Sequence, residues 1–249
     1  LIVATGGLSV PQTGSDGQGL RMLQRLGHTV HRTYPALTPL LAEGAPHASL
    51  AGVSLDVEIS APPPGGPLTV SGGFLFTHRG YSGPAVLDVS HLAVLAANAE
   101  EQPLYVRWGA IADEVWERSL TERGSARVRN VVRRWLPARL ADQLLREAEL
   151  EEDTPCGQLR RYQRARLLEL LTRYPLPWTG NEGYKKAEVT GGGVALSEVR
   201  PDTMESRIAP GLFLCGELLD AFGRIGGYNF AWAWSTGRAA GRGAAASPG

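Results

Sequence analysis

Lysine, cysteine and net charge are all scarce in this chain. Lys185 and Lys186 are its only lysines among 25 basic residues, and 25 acidic residues balance them. A chain without net charge has no global field to draw it to nucleic acid or to an anionic membrane. The two cysteines, Cys156 and Cys215, lie far apart and suggest no disulfide framework. There is no CxxC, so nothing supports a dithiol relay. With the lack of a signal peptide, this cysteine usage fits a reducing, cytoplasmic compartment. The five histidines and two cysteines show no metal-ligand spacing, so no metal is expected. No apolar run approaches the ~18 residues that a membrane-spanning helix needs. A further absence is a G-x-G-x-x-G closing an early strand, although the chain begins within an apolar strand-like run.

What is present is enough apolar material for a core. Of 249 residues 43% are hydrophobic, and that length suggests two compact units. The stretch that organises the chain is 211–241. Leu212 to Cys215 is a short apolar run suited to a buried strand, and it stops at Gly216-Glu217. Gly226-Gly227 follows, then a segment rich in aromatic and small residues. Tyr228, Phe230, Trp232 and Trp234 alternate as in a strand. Ala231, Ser235 and Ala239 are spaced as on one helix face. The preceding glycines and the small residues at the end favour a helix. A strand, a Gly-acid turn, a glycine pair and a helix suit a dinucleotide lying at strand ends against a helix start. The plain alternative is an α/β scaffold unit without a ligand.

The opening run, Leu1 to Ala4, ends at Thr5-Gly6-Gly7, where glycine lets a backbone approach a ligand or simply turn. A helix is expected over 18–26, stopped by Gly27. From 29 to 108 the chain reads as β-rich. Residues 53–59 alternate cleanly, and Pro62 to Gly66 form a tight connector. Within this zone lies the polar cluster Thr77-His78-Arg79-Gly80-Tyr81-Ser82. His78 can pass protons near neutral pH, and Arg79 can hold a carboxylate. The alternative is a polar turn before a helix over 84–97 that is capped by Ser82. Residues 110–174 are charged and helical by period, with apolar stripes at Val128, Val131 and Val132, at Leu140, Leu144 and Leu145, and at Leu167, Leu170 and Leu171. Seven arginines between Arg118 and Arg139 are followed by an acidic run. They are expected to solvate helix faces, with no nucleic-acid partner. Residues 187–196 read as strand, glycine turn and strand.

Four blocks together resemble one family: 4–19 (ATGGLSVPQTGSDGQG), 74–90 (FLFTHRGYSGPAVLDVS), 186–207 (KAEVTGGGVALSEVRPDTMESR) and 211–241. They are similar, in order and over nearly the whole chain, to the BaiN/YhiN-type FAD-dependent oxidoreductases, also called the aminoacetone-oxidase-like flavoproteins. The resemblance implies an α/β fold, with a Rossmann-like FAD-binding domain of glutathione-reductase type. This domain would comprise 1–28 and 201–249. It would carry a β-barrel-like insert, 29–108 and 182–200, and a helical insert, 109–181. It would be incomplete here, because the family's first Gly-rich unit has no counterpart in this sequence. The implied cofactor is FAD. Thr5, Gly6, Gly7, Gly216, Glu217, Gly226, Gly227, Tyr228, Asn229 and Phe230 would contact it, with Glu217 accepting from a ribityl hydroxyl. His78 and Arg79 would face a small-molecule substrate, and NAD(P)H is a candidate electron donor. The expected activity is reduction of activated C=C bonds or oxidation of a small organic substrate. The alternative is a fragment or binding module that no longer retains FAD.

Overall fold

The computed structural model describes residues 1–44, 47–62, 68–121, 126–151 and 153–246. By its contacts the chain forms two units, Leu1–Pro39 with Asn181–Gly249, and Leu40–Gly180. Unit one opens with β1 (Ile2–Val3), α1 (Gln18–Arg25) and β2 (Val30–Ala36). The chain then builds unit two from β3 (Leu40–Leu41), β4 (Ser54–Ala61), β5 (Leu68–Phe76), β6 (Gly80–Ser82), α2 (Pro84–Leu95), β7 (Tyr105–Trp108), α3 (Asp113–Thr121), α4 (Val128–Arg133), α5 (Ala138–Glu147), α6 (Arg161–Thr172) and β8 (Tyr174–Pro175). It leaves through β9 (Gly180–Asn181) and completes unit one with β10 (Val189–Val194), β11 (Phe213–Leu214) and α7 (Tyr228–Ala246). The fold is α/β, as expected.

In unit two the strands run β8-β7-β4-β5-β6-β3-β9 in one sheet. β4 behaves as its alternation predicts: Val57, Ile59 and Ala61 are buried, whereas Ser54 and Asp56 are exposed. α2 is capped by Gly83 rather than Ser82. Gly83 has φ +97°, and a Cβ there would sit 2.6 Å from Gly73 O, so only glycine fits that corner. The helical stripes at Val128–Val132, Leu140–Leu145 and Leu167–Leu171 join the sheet's aromatic residues in a single apolar cluster. Strand and helical parts of 40–180 therefore share one core. Residues 63–66 of the Pro-Gly connector, and Arg123 of the arginine series, lie outside the described residues.

In unit one β1 and β11 pair in parallel, with Ile2 opposite Phe213 and Val3 opposite Leu214. The segment 187–196 departs from its reading as two strands around a turn. It is one strand, β10, antiparallel to β2, with a register shift between Gly191 and Gly193. Gly192 (φ +75°) and Gly193 (φ +124°) absorb the bulge that had looked like a turn. A separate cluster, Val3, Leu20, Leu23, Val194, Met204, Phe213, Leu214 and Leu218, forms this unit's core. α7 is helical from Tyr228, and its packed face runs through Trp232, Thr236 and Ala240, one position along from Ala231, Ser235 and Ala239.

Candidate functional site

The parallel pair β1 and β11 ends, on both strands, in glycine. Beyond Val3 comes Ala4-Thr5-Gly6-Gly7, and beyond Leu214 comes Cys215-Gly216-Glu217. These strand ends and the start of α7 enclose a cavity of about 530 Å³. That is within the usual range for a small-molecule or cofactor pocket. Its lining includes Ala4, Gly6, Gly216, Glu217, Gly226, Gly227, Asn229 and Phe230. Seven of the ten residues expected at a cofactor thus meet at one place.

The other three stand just outside the lining. Thr5 faces α1, where a Cβ on Gly19 would overlap its hydroxyl. Gly7 closes on the protein itself: a Cβ there would overlap Thr190 Oγ1 and lie 2.6 Å from Glu217 Oε1. Tyr228 turns its ring under the Arg224 guanidinium, 4.9 Å from the ring centre, and its hydroxyl accepts from Arg224 at 2.7 Å. His78 and Arg79 lie in unit two, in the turn between β5 and β6. Arg79 sits 3.9 Å from Glu43, and the cavity beside the turn holds about 20 Å³, room for a water.

Three features of this cavity suit an electron-rich ring with a polyol attached. First, the opening turn of α7 is bare. Its first intrahelical bond runs from Ala231 N to Gly227 O, and the amides of Tyr228, Asn229 and Phe230 donate to no described protein group. Such a helix start carries partial positive charge. Second, the glycines are there for their backbone. Gly6, Gly216, Gly226 and Gly227 have φ of +69°, +79°, +111° and +92°. A Cβ on Gly6 or Gly227 would meet no protein atom within 4 Å, so these residues border open space. Third, Glu217 presents a carboxylate. Its Oε1 accepts from Thr190 N at 2.9 Å and from Ser9 Oγ at 3.0 Å, and among the described residues Oε2 has no hydrogen-bond partner. The lining holds Glu188 and Glu217 and no arginine or lysine, so it suits a neutral ring and hydroxyls, not a diphosphate.

Sequence reasoning missed what holds this site together. The Gly216 peptide is pinned to α7 on both sides: its N–H donates to Thr236 Oγ1 at 2.9 Å, and its carbonyl accepts from Trp232 Nε1 at 3.2 Å. The Asn229 carboxamide clamps the Gly223 peptide, accepting at 2.8 Å and donating at 3.0 Å. Its side chain is thus engaged within the loop, and its backbone N–H remains open to a ligand. Val10, forced to φ +47°, and Val189 add apolar wall. Cys215 is buried, and burial pushes its thiol pKa up, so it is an inert wall residue.

A cavity at the carboxyl ends of parallel strands, closed by a helix start, is the arrangement of a Rossmann-type α/β protein. The chain belongs to the HI0933-like protein Rossmann domain family, which it matches over residues 1–243. It is 33% identical to the 3-dehydro-bile acid delta(4,6)-reductase of Clostridium scindens, over 100% of this chain and 62% of that protein. It is 36% identical to the ribosomal RNA dihydrouridine synthase of Escherichia coli, over 95% of this chain and 58% of that protein. Against the enzyme of that name from Haemophilus influenzae the identity is 33%, with the same two shares. The chain therefore spans 58% to 62% of the length of these curated relatives.

Proposed function

We propose that this chain carries the flavin-ring site of an FAD-dependent oxidoreductase that reduces C=C bonds conjugated to a carbonyl. The observation that carries the reading is the convergence of α7's bare first turn, the positive-φ glycines and the open oxygen of Glu217 in one cavity. A bound flavin supplies two-electron transfer, which no side chain of this cavity can perform. The amides of Tyr228 to Phe230 would stabilise negative charge on the ring's pyrimidine edge. Glu217 would orient the polyol, and Phe230, Trp232 and Ile225 would shield the ring from water.

The substrate class rests on chemistry shared by the relatives' names. A delta(4,6)-reductase of a 3-dehydro bile acid and a dihydrouridine synthase both saturate a double bond conjugated to a carbonyl. Between a small enone and an RNA we favour the former, because five arginines of unit two are engaged with acids. Arg107 pairs with Glu58 and Asp113, Arg127 with Asp153, Arg129 and Arg133 with Asp142, and Arg166 with Glu169. Arginines committed to acids are poor phosphate contacts.

The test is to saturate the purified protein with FAD, photoreduce it without oxygen, and follow the return of flavin absorbance. Faster reoxidation by cyclohex-2-enone than by buffer is expected, and bleaching by NADPH or NADH identifies the donor. A preparation that takes up no FAD would overturn the reading. Reoxidation by dioxygen alone, with no response to enone, would favour an oxidase. Response to a uridine-containing RNA but not to the enone would move the substrate to nucleic acid.

A further inference from the structure

Glu217 is held by hydrogen bonds whose direction can be worked out from valency. Leu8 N donates to Thr190 Oγ1 at 2.7 Å. Thr190 Oγ1 and Ser9 Oγ are 3.0 Å apart, and Ser9 Oγ is 3.0 Å from Glu217 Oε1. A carboxylate only accepts, so the single serine proton points to Glu217. Ser9 Oγ must then accept from Thr190, whose own oxygen accepts from Leu8 N. The result is a one-way chain, Leu8 amide to Thr190 hydroxyl to Ser9 hydroxyl to Glu217. Thr190 N adds a second bond to the same Oε1. Ser9 and Thr190 are both buried, and the glycine at position 7 leaves the room that the group needs. Bonds of this kind polarise one another, and a charged acceptor strengthens them further.

We infer that Ser9 and Thr190 are positioning residues. They occupy Oε1 of Glu217 and fix the carboxylate so that Oε2 alone is offered to a ligand hydroxyl in the cavity. This rests on the flavin reading above and deepens it. Neither hydroxyl touches the ligand; each acts through Glu217. The chain therefore recognises the polyol of a flavin and leaves recognition of its ring to α7.

The experiment compares riboflavin, which has the polyol, with lumiflavin, which carries only a methyl in its place. Dissociation constants are measured by fluorescence quenching for the wild type, Ser9→Ala, Thr190→Val, Thr190→Ser and Glu217→Gln, with a thermal melt of each unliganded protein as the folding control. Loss of the bond to Glu217 in Ser9→Ala should weaken riboflavin binding by about tenfold, and loss in Thr190→Val of the hydroxyl that orients Ser9 should weaken it by a smaller factor. Lumiflavin affinity should be unchanged, and Thr190→Ser, which keeps the hydroxyl, should restore riboflavin binding. In a Glu217→Gln background, Ser9→Ala should cost much less than in the wild type. Equal losses for riboflavin and lumiflavin would overturn the inference, because the hydroxyls would then serve the fold alone. Full riboflavin affinity in Ser9→Ala would overturn it too. A wild type that binds neither flavin would instead defeat the flavin reading itself.

Discussion

Each unit seals one histidine inside itself with both ring nitrogens hydrogen-bonded, and the two units use different materials for it. In unit one, His28 Nδ1 lies 3.0 Å from Glu198 Oε2 and Nε2 lies 3.0 Å from Ser206 Oγ. Ser206 Oγ already accepts from the amides of Ile208 and Ala209. Its proton must therefore go to His28, and His28 must donate to Glu198. The arrangement has the residues of a hydrolytic triad, yet Ser206 is buried and its lone pairs are spent on backbone, so it is a clamp. It ties three irregular segments, after α1, at 196–198 and at 206–209. In unit two, His47 lies among Phe76, Tyr81 and Tyr174, with ring centres 5.4 to 5.7 Å away. Its nitrogens meet the Tyr81 hydroxyl at 2.7 Å and the Tyr174 hydroxyl at 2.9 Å. One unit holds loops by backbone capture; the other welds a polar group into an aromatic stack. The cavity at the start of α7 lies in the unit held by loops, whose backbone is free to take the positive-φ conformations of Gly6, Gly216, Gly226 and Gly227.

The difference predicts where truncation hurts most. Trp108 in unit two is fully buried, stacks on Phe76 at 5.7 Å and meets Phe74 edge-on at 5.4 Å. Trp108→Ala should cost about 3–5 kcal/mol. Urea denaturation followed by tryptophan fluorescence checks it, and a cost under about 1 kcal/mol would mean that the aromatic core does not carry unit two.

The clamps come next. Ser206→Ala strands two amides and a ring nitrogen and should cost about 2 kcal/mol, whereas Tyr81→Phe removes one hydroxyl and should cost about half of that. Acid sharpens the contrast. Burial alone would raise the pKa of Glu198, but bonds from Thr29 and His28 hold it below the usual carboxylate range. Burial likewise opposes, and the nearby His47, the bond from Gln143 and the nearby Tyr174 hydroxyl outweigh it, in Glu147, which is also held below the usual range. A lowered folded pKa means stability that is present above the unfolded value, roughly 4.3 for glutamate, and lost as pH falls through the folded one. Melting temperature against pH should therefore fall below about pH 4. The fall should be shallower in Glu198→Gln, which starts lower, and an unchanged slope would remove Glu198 from the account.

Much of this was legible in the chain. The alternation at 53–59 and the glycine pair before Tyr228 each state a local rule that tertiary structure had no reason to override. The Gly-acid turn marked Glu217 because strand, glycine and acid are adjacent in sequence. Ser9 and Thr190 were invisible for the opposite reason: their hydroxyls meet across 181 residues, and no local pattern records that. The bulge in β10 was misread because three glycines look the same whether they turn a chain or let a strand slip. The division near Pro39 left no trace either, since composition does not change where contacts do.

The smallest expected effect on stability is the most telling for the site. Gly193 and Gly227 both have positive φ, but for different partners. A Cβ on Gly193 would lie 2.6 Å from Leu218 O, so the protein itself demands that glycine. A Cβ on Gly227, at φ +92°, would meet nothing within 4 Å. Gly227→Ala should therefore cost only the backbone strain, about 1 kcal/mol, in a urea titration. Its methyl, however, would stand at the edge of the cavity beside the bare amides of α7, where the proposed ring would come close. FAD affinity should fall by more than tenfold, well beyond what that strain could produce. Were FAD to bind Gly227→Ala as tightly as the wild type, the glycine would be an accident of the turn, and the helix start would not be where the ring lies.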